Sequence, residues 1–395
     1  MDNKSFCIYP WIHMYVNPDG SVLPCCVGEY DKHLGNVREN TIEEIWNNER
    51  YKQLRRNMLE GKKCDTCRAC YQQEDSGNES TRISKNKEFA HLIPLVQNTL
   101  EDGTYPEMTL RHFDVRWSNI CNFKCRSCSS TYSSTWAQED SANGKHKEIF
   151  IMADGDDNSR LYEQFKPYFK DIESFYFAGG EPLMTDKHYA ILEHLIETNN
   201  TDVKISYNTN LSNLHYKNKS VIEMWKHFPN IQVFASLDHY GDRAEYIREG
   251  TNWSKIENNI KLIKRETPHV RLNFSAVISA FNVFTITDFL DYVLEQKLFD
   301  TNVYPTFYNI VHPEYYSASI LNDMLKWSII NKIKAKSHKY NAHVQGLLRD
   351  VVRHLENSKY DENLKEQFIV HTDYYDKIRN RNFVKTFPEL QEIMK

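Results

Sequence analysis

The sequence predicts an α/β protein built on a parallel sheet, with a cysteine-rich segment before the sheet and a helical tail after it. Three observations predict this. Between residues 111 and 324, apolar strand-like runs alternate strictly with helical stretches, the order of parallel strands joined by right-handed crossovers. Six of the nine cysteines precede residue 71 and the other three lie within Cys121–Cys128. Beyond residue 325 the pattern becomes polar and helical. The expected organisation is a cysteine-rich module over 1–80, a linker over 81–110, the strand–helix domain over 111–324 and a helical extension over 325–395.

Composition narrows the class. At 395 residues, 40% hydrophobic and 26% charged, the chain has material for two or three domains and an ample core. Aromatics reach 13%, with 24 Tyr and 20 Phe, which aromatic-rich cores account for. A net charge of −5 speaks against a general phosphate-backbone binder, so nucleic acid is disfavoured as a partner. No run approaches the roughly 18 apolar residues of a membrane span, and Met1-Asp2-Asn3-Lys4 leads into no signal-peptide core. The expectation is a cytoplasmic protein without membrane association. Clustered cysteines in such a chain favour metal ligation over a disulfide scaffold.

In the first segment, Pro18-Asp19-Gly20 separates the extended runs Ile12 to Val16 and Ser21 to Leu23, predicting a hairpin that folds Cys25 back towards Cys7. Thr41-Ile42-Glu43-Glu44 is a capping box. The helix it opens carries an apolar stripe of Ile42, Ile45, Trp46, Leu54 and Met58, with Gly61 as its stop. Cys64, Cys67 and Cys70 follow directly. Hairpin thiols and C-x2-C thiols after a helix can close a four-thiolate site for iron–sulfur or zinc. Residues 76–110 read as a polar linker with a short helix.

The strands of the central domain are predicted at 112–117, 173–178, 203–207, 231–236, 270–278 and 301–307. Helices are expected near 160–170, 186–199, 220–228, 254–266 and 285–297, with caps at Ser220-x-x-Glu223 and Ser254-x-x-Glu257. Residues 137–158 are a polar insertion, read as a solvated loop. Six units are too few for a closed eight-stranded barrel. Active sites of such architectures lie at the C-terminal strand ends, where the chemistry-bearing residues of this chain also fall.

The first such group is Cys121-x3-Cys125-x2-Cys128. By spacing alone it is a three-thiolate cluster with one open iron, a zinc site with a distant ligand, or three buried thiols. The second is Gly179-Gly180-Glu181-Pro182, closing the apolar run Phe175 to Ala178. Glycines permit close approach of a ligand, and a Glu can accept from an ammonium. The third strand ends in Thr209-Asn210 and the fourth in Ser236-Leu237-Asp238, polar groups suited either to a ribose or to helix capping.

Together, C-x3-C-x2-C on the first strand and Gly-Gly-Glu on the second resemble the radical SAM superfamily. The resemblance implies an open (β/α)6 partial TIM barrel in which Cys121, Cys125 and Cys128 hold a 4Fe–4S cluster that binds S-adenosylmethionine (SAM). It implies that Gly179, Gly180 and Glu181 meet the methionine amino group, that Thr209, Asn210 and Ser236 stand at the family's third- and fourth-strand SAM positions, and that Arg248 of Tyr246-Ile247-Arg248-Glu249-Gly250 meets the methionine carboxylate. Ser127 stands where the family commonly has an aromatic residue whose backbone packs near adenine, and Leu211 where it usually has Gly. The spacing Cys7-x12-Gly20-x4-Cys25 and Cys67-x2-Cys70-x3-Glu74 resembles the twitch and SPASM auxiliary-cluster modules, here N-terminal to the barrel as in twitch domain-containing radical SAM proteins. That implies an auxiliary 4Fe–4S cluster on Cys7, Cys25, Cys67 and Cys70, with Cys26 and Cys64 spare or alternates.

The implied activity is reductive cleavage of SAM to a 5′-deoxyadenosyl radical that takes hydrogen from a peptide or small metabolite, with a flavodoxin- or ferredoxin-type electron donor. The rival readings are a non-catalytic iron–sulfur or zinc scaffold or electron carrier, and a radical SAM enzyme acting on RNA, hinted at by Arg379, Arg381 and Lys385 near Phe383.

Overall fold

The computed structural model describes residues 3–75, 77, 79–145, 151, 156–299 and 304–395. Ser76 and Asn78 of the linker, residues 146–150 and 152–155 of the insertion, and 301–303 of the sixth expected strand lie outside the described residues.

Among the described residues the strands are β1 (His13–Val16), β2 (Ser21–Leu23), β3 (Gly35–Asn36), β4 (His112–Val115), β5 (Lys124–Cys125), β6 (Ser174–Phe177), β7 (Lys204–Thr209), β8 (His215–Tyr216), β9 (Lys219–Ser220), β10 (Ile231–Ser236), β11 (Arg248–Glu249), β12 (Arg271–Ile278) and β13 (Thr306–Asn309). Nine form one mostly parallel sheet in the order β13-β12-β10-β7-β6-β4-β1-β2-β3, and β5/β11 and β8/β9 form two small ladders. All six expected barrel strands are present as β4, β6, β7, β10, β12 and β13, in the mixed α/β arrangement of an open partial barrel. The chain folds as two compact units, one of Met1–Ile120, Lys145–Ser206 and His227–Asn230, the other of Cys121–Gly144, Tyr207–Lys226 and Ile231–Lys395.

In the first unit the hairpin forms as expected, with Tyr15 opposite Leu23 and Val16 opposite Val22. Gly20 supplies the left-handed turn at φ +83°, a conformation costly for other residues. The hairpin does not stand apart from the sheet. β1 pairs in parallel with β4, Tyr15 opposite Asp114, so the cysteine-rich segment extends the strand system by three strands. The Thr41 capping box is present, but the helix is broken into Ile42–Trp46 and Glu49–Leu59, because Asn48 caps a second start by accepting from the Tyr51 amide. The stripe Ile42, Ile45, Trp46, Leu54 and Met58 is buried throughout. The expected linker contains a helix, Thr81–Glu88, and 3-10 turns over Ala90–Asn98, with Phe89, Leu92 and Val96 buried. Phe113 of β4 packs among Phe165, Phe169 and Phe175, ring centroids 5.3–5.4 Å apart, at edge-to-face and tilted angles favourable for aromatic pairs.

In the second unit β10 pairs in parallel with β12, and β12 with β13. The fifth expected helix runs Ile286–Glu295 and the fourth Trp253–Glu266. The cap of the latter is Asn252 rather than Ser254: the Asn252 side chain accepts from the Lys255 amide, and asparagine caps at least as well as serine. The start of the 137–158 insertion is not loop, since Ser134–Ala142 is a helix capped by Ser133. The tail forms the helices Asp323–Lys336, Ala342–Asn357 and Glu362–Arg379. Phe281, Phe368, Phe383 and Phe387 form a buried aromatic cluster beneath the last of them.

Candidate active site

The six N-terminal cysteines belong to the first unit. Cys70 raises the pKa of Cys7, Cys26, Cys7 and Cys67 raise Cys25, and Cys7, Cys64 and Cys70 raise Cys67, so these thiols lie close enough to act on one another's charge. Burial is the larger cause in each case and pushes Cys7 up to about 12, as expected of thiols in apolar surroundings. Cys26 is exposed, and the charges that act on it most are those of Asp114 and Arg116. Cys64 is buried, and its thiol donates weakly to the Lys62 carbonyl at 3.7 Å. Glu74, three residues after Cys70 in the expected motif, is committed to Arg82 at 2.5 Å.

In the same unit, Gly179 has φ +124° and a Cβ there would stand 3.2 Å from Arg116 Cδ. A Cβ on Gly180 would lie 2.2 Å from the Ile120 carbonyl oxygen, closer than any real contact, so that position excludes a side chain. The Glu181 amide donates to the same carbonyl at 2.7 Å. The Gly-Gly-Glu turn is thereby fastened to the residue immediately before Cys121. The Glu181 side chain is buried, and its Oε1 accepts from the Leu183 amide at 3.1 Å, capping the turn Pro182–Met184.

Cys121, Cys125 and Cys128 belong to the second unit. The Phe123 amide points to Cys121 Sγ at 3.5 Å, and the Cys128 amide donates to the Cys125 carbonyl at 3.0 Å. Cys125 is buried; Cys121, Ser127 and Cys128 are half-buried. Burial pushes the Cys128 thiol up to about 12, with Cys125 adding to the rise. Cys125 stands opposite Arg248 in the β5/β11 ladder, and Arg248 Nη1 lies 3.8 Å from its sulfur. Arg248 is not an open fork. Its Nε and Nη2 face Asp238 at 2.8 and 3.0 Å, and Asp238 Oδ1 also accepts from the Val277 amide.

Asn210 is brought to the cluster loop, directly after Thr209 at the end of β7. Asn210 Nδ2 donates at 3.1 Å to Asn122 Oδ1, beside Cys121, and Ser212 Oγ donates to the same oxygen at 3.3 Å. Both residues also shape their own turn: Thr209 Oγ1 accepts from the Leu211 amide and Asn210 Oδ1 from the Ser212 amide. Leu211 itself sits at φ +54°, the left-handed region that glycine enters most easily. Ser236 closes β10 opposite Ser275 and is half-buried.

Sequence reasoning missed three partners. Asp238 was visible in Ser-Leu-Asp, but its bond to Arg248 was not. Asn122 lies inside the motif as a neutral spacer. Asp376, which pairs with Arg126 at 2.9 Å, has no local signal. The basic hint of the tail does not survive as a face: Arg379 is buried against Glu139 at 2.6 Å, and Arg381 pairs with Glu249 at 2.8 Å.

Residues 7–71 match the SPASM iron–sulfur cluster-binding domain, and residues 115–293 match the radical SAM superfamily. No curated protein matches the chain. Among solved structures, native anSMEcpe with bound AdoMet and Cp18Cys peptide is similar at 20% identity and a TM-score of 0.39, over 56% of this chain and 58% of that one. The chain thus spans less than two thirds of that structure's length. TYW1 with a lysine-pyruvate adduct bound is similar at 15% identity and a TM-score of 0.32, over 62% of this chain and 81% of that one. The two domain matches imply a SAM-binding 4Fe–4S cluster, SAM itself and an auxiliary iron–sulfur cluster. The chain thus carries a radical SAM region over residues 115–293, with a SPASM-type iron–sulfur region over residues 7–71 ahead of it.

Proposed function

We propose that this radical SAM enzyme abstracts hydrogen from a peptide or small-metabolite substrate, with the SAM-binding cluster on Cys121, Cys125 and Cys128 and the auxiliary cluster on Cys7, Cys25, Cys67 and Cys70. A 4Fe–4S cluster held by Cys121, Cys125 and Cys128 and reduced by a flavodoxin- or ferredoxin-type donor would supply the one electron needed for reductive cleavage of SAM to methionine and a 5′-deoxyadenosyl radical, which would become 5′-deoxyadenosine on taking the substrate hydrogen. The observation that carries the reading is the three-thiol loop inside the matched radical SAM region: three thiolates leave one iron of a cubane without a protein ligand.

The residues divide the work of holding SAM. Glu181 presents a buried carboxylate for the methionine ammonium, with the Gly179-Gly180 backbone free of side-chain bulk. Thr209, Asn210 and Ser236 supply hydroxyl and amide groups for the ribose, and Ser127 contributes its backbone near adenine. For Arg248 the geometry supports another part. Its fork is filled by Asp238, so it steadies the Cys125 thiolate instead of taking the carboxylate. For the auxiliary cluster, the coupling of Cys7 with Cys70, Cys25 and Cys67 supports these four as ligands, with Cys26 beside Cys25 and Cys64 beside Cys67 as alternates.

Anaerobic reconstitution followed by iron and sulfide analysis tests the assignment. Wild type should hold about eight irons, four per cubane. Cys125→Ala should lose about four and all reductive SAM cleavage, Cys67→Ala should lose the other four, and Cys26→Ser and Cys64→Ser should lose none. A Cys125→Ala protein that forms 5′-deoxyadenosine under dithionite at the wild-type rate would refute it.

A further inference from the structure

We propose that the C-terminal helix Glu362–Arg379, which lies beyond both matched regions, is a clamp that holds the cluster loop in its ligating geometry, with Asp376 as its main positioning residue. The proposal rests on the reading of Cys121, Cys125 and Cys128 as cluster ligands.

The loop has little regular structure of its own: β5 is two residues long. Its shape is imposed from outside, and the last helix and the turn after it supply much of that hold. Arg126, between Cys125 and Ser127, is about 1% exposed and ends on Asp376 Oδ1 at 2.9 Å. The guanidinium also faces the Tyr316 hydroxyl, and it lies 4.5 Å from the Tyr246 ring and 5.4 Å from that of Tyr375. Tyr246 in turn donates its hydroxyl to Asp376 at 2.6 Å. A buried cation needs an opposite charge or a π-face to offset its lost hydration, and here both come from groups centred on Asp376.

A second contact lies one turn further along the helix. Arg379 donates to the Lys124 carbonyl at 3.2 Å and pairs with Glu139, which also takes the Lys124 ammonium at 2.6 Å. The Arg379 guanidinium lies 4.6 Å from both the Trp136 and Tyr375 rings, and Trp136 Nε1 donates to the Cys125 carbonyl at 2.9 Å. Just past the helix, Arg381 pairs with Glu249, the residue opposite Lys124 in the ladder. Lys124, Cys125 and Arg126 are therefore each held by the tail directly or through one intermediary. Removing Asp376's charge leaves Arg126 buried and uncompensated, and the loop must move to relieve it.

The test uses the full-length reconstituted protein. Iron release to a chelator is timed, and the EPR spectrum of the reduced cluster is recorded with and without SAM. Asp376→Asn should release the iron of the SAM-binding cluster about tenfold faster and blunt the SAM-induced change in the spectrum. Glu389→Gln breaks another tail contact, Arg243–Glu389 at 2.6 Å, and should match wild type in both. Arg379→Lys keeps a charge beside Glu139 but loses the stacking and should change release in the same direction as Asp376→Asn, which keeps the proposal testable if that variant fails to fold. Equal release from Asp376→Asn and wild type, or equal acceleration by Glu389→Gln, would overturn the clamp. Failure of wild type to assemble a cubane on the loop would instead overturn the cluster assignment.

Discussion

Arg248 stands opposite Cys125 across the β5/β11 ladder, with its Nη1 3.8 Å from the cysteine sulfur and its other face bound to Asp238. The ladder sets the backbone distance, and the buried carboxylate sets the direction of the side chain. Hydrogen bonds to cluster sulfurs raise reduction potentials, because they stabilise the added electron. Replacing Arg248 by Met should move the SAM-binding cluster to a more negative potential by about 59 mV, the tenfold step for one electron. Arg248→Lys should fall between the two. An EPR-monitored redox titration measures this, and coincident midpoints for all three proteins would remove Arg248 from the sulfur's environment.

Glu181 gives a second test, directed at SAM itself. Glu181→Gln keeps an oxygen to cap the Leu183 amide, so the turn should stand and iron content should equal wild type. The ammonium of SAM would exchange a charge-assisted bond, about 1.5–3 kcal/mol, for a neutral one near 1 kcal/mol. The expected loss of SAM affinity is around tenfold, measurable by calorimetric titration of both reconstituted proteins. Equal affinities would show that Glu181 acts only as the cap.

Stability should fall with acid below neutral pH, for a reason that involves no cluster. His13, His188 and His239 are buried neutral, and burial holds each near 3. His13 Nδ1 faces the His112 carbonyl at 3.0 Å, so that nitrogen carries the proton and donates. Their folded pKa values lie below the unfolded value of about 6.5. Between those limits the unfolded chain binds more protons, and stability therefore rises with pH. Their contribution is complete above about 6.5 and is lost as pH falls towards 3, each histidine accounting for up to about 1.4 kcal/mol per pH unit. Urea midpoints of the unreconstituted chain at pH 7.0 and 5.5 should differ accordingly, and His188→Gln, which removes a group with no charged neighbour among its causes, should flatten the dependence. A midpoint unchanged between the two pH values would mean these imidazoles are not buried neutral.

Much of this protein was readable because its signals are local. Thiol donors at C-x3-C-x2-C, the two glycines ahead of Glu181 and the alternation of strand and helix each declare themselves within a window of a few residues, and the hairpin at Gly20 and the cap at Thr41 formed where local chemistry put them. Errors of detail were also local: Asn48 split a helix and Asn252 displaced Ser254 as a cap, since competing cap residues a few positions apart differ little in energy.

The sequence by itself determined the cysteine spacings, the order of strands and helices, and the radical SAM resemblance to which both point. Tertiary structure decided what each charged or sulfur-bearing side chain faces. It joined the cysteine hairpin to β4, turned Arg248 onto Asp238 and carried Asp376 to Arg126 across 250 residues of chain. Periodicity and turn chemistry are properties of neighbours along the chain. Ion pairs and thiol clusters are properties of neighbours in space, and a buried arginine accepts whichever carboxylate the packing of distant helices delivers to it.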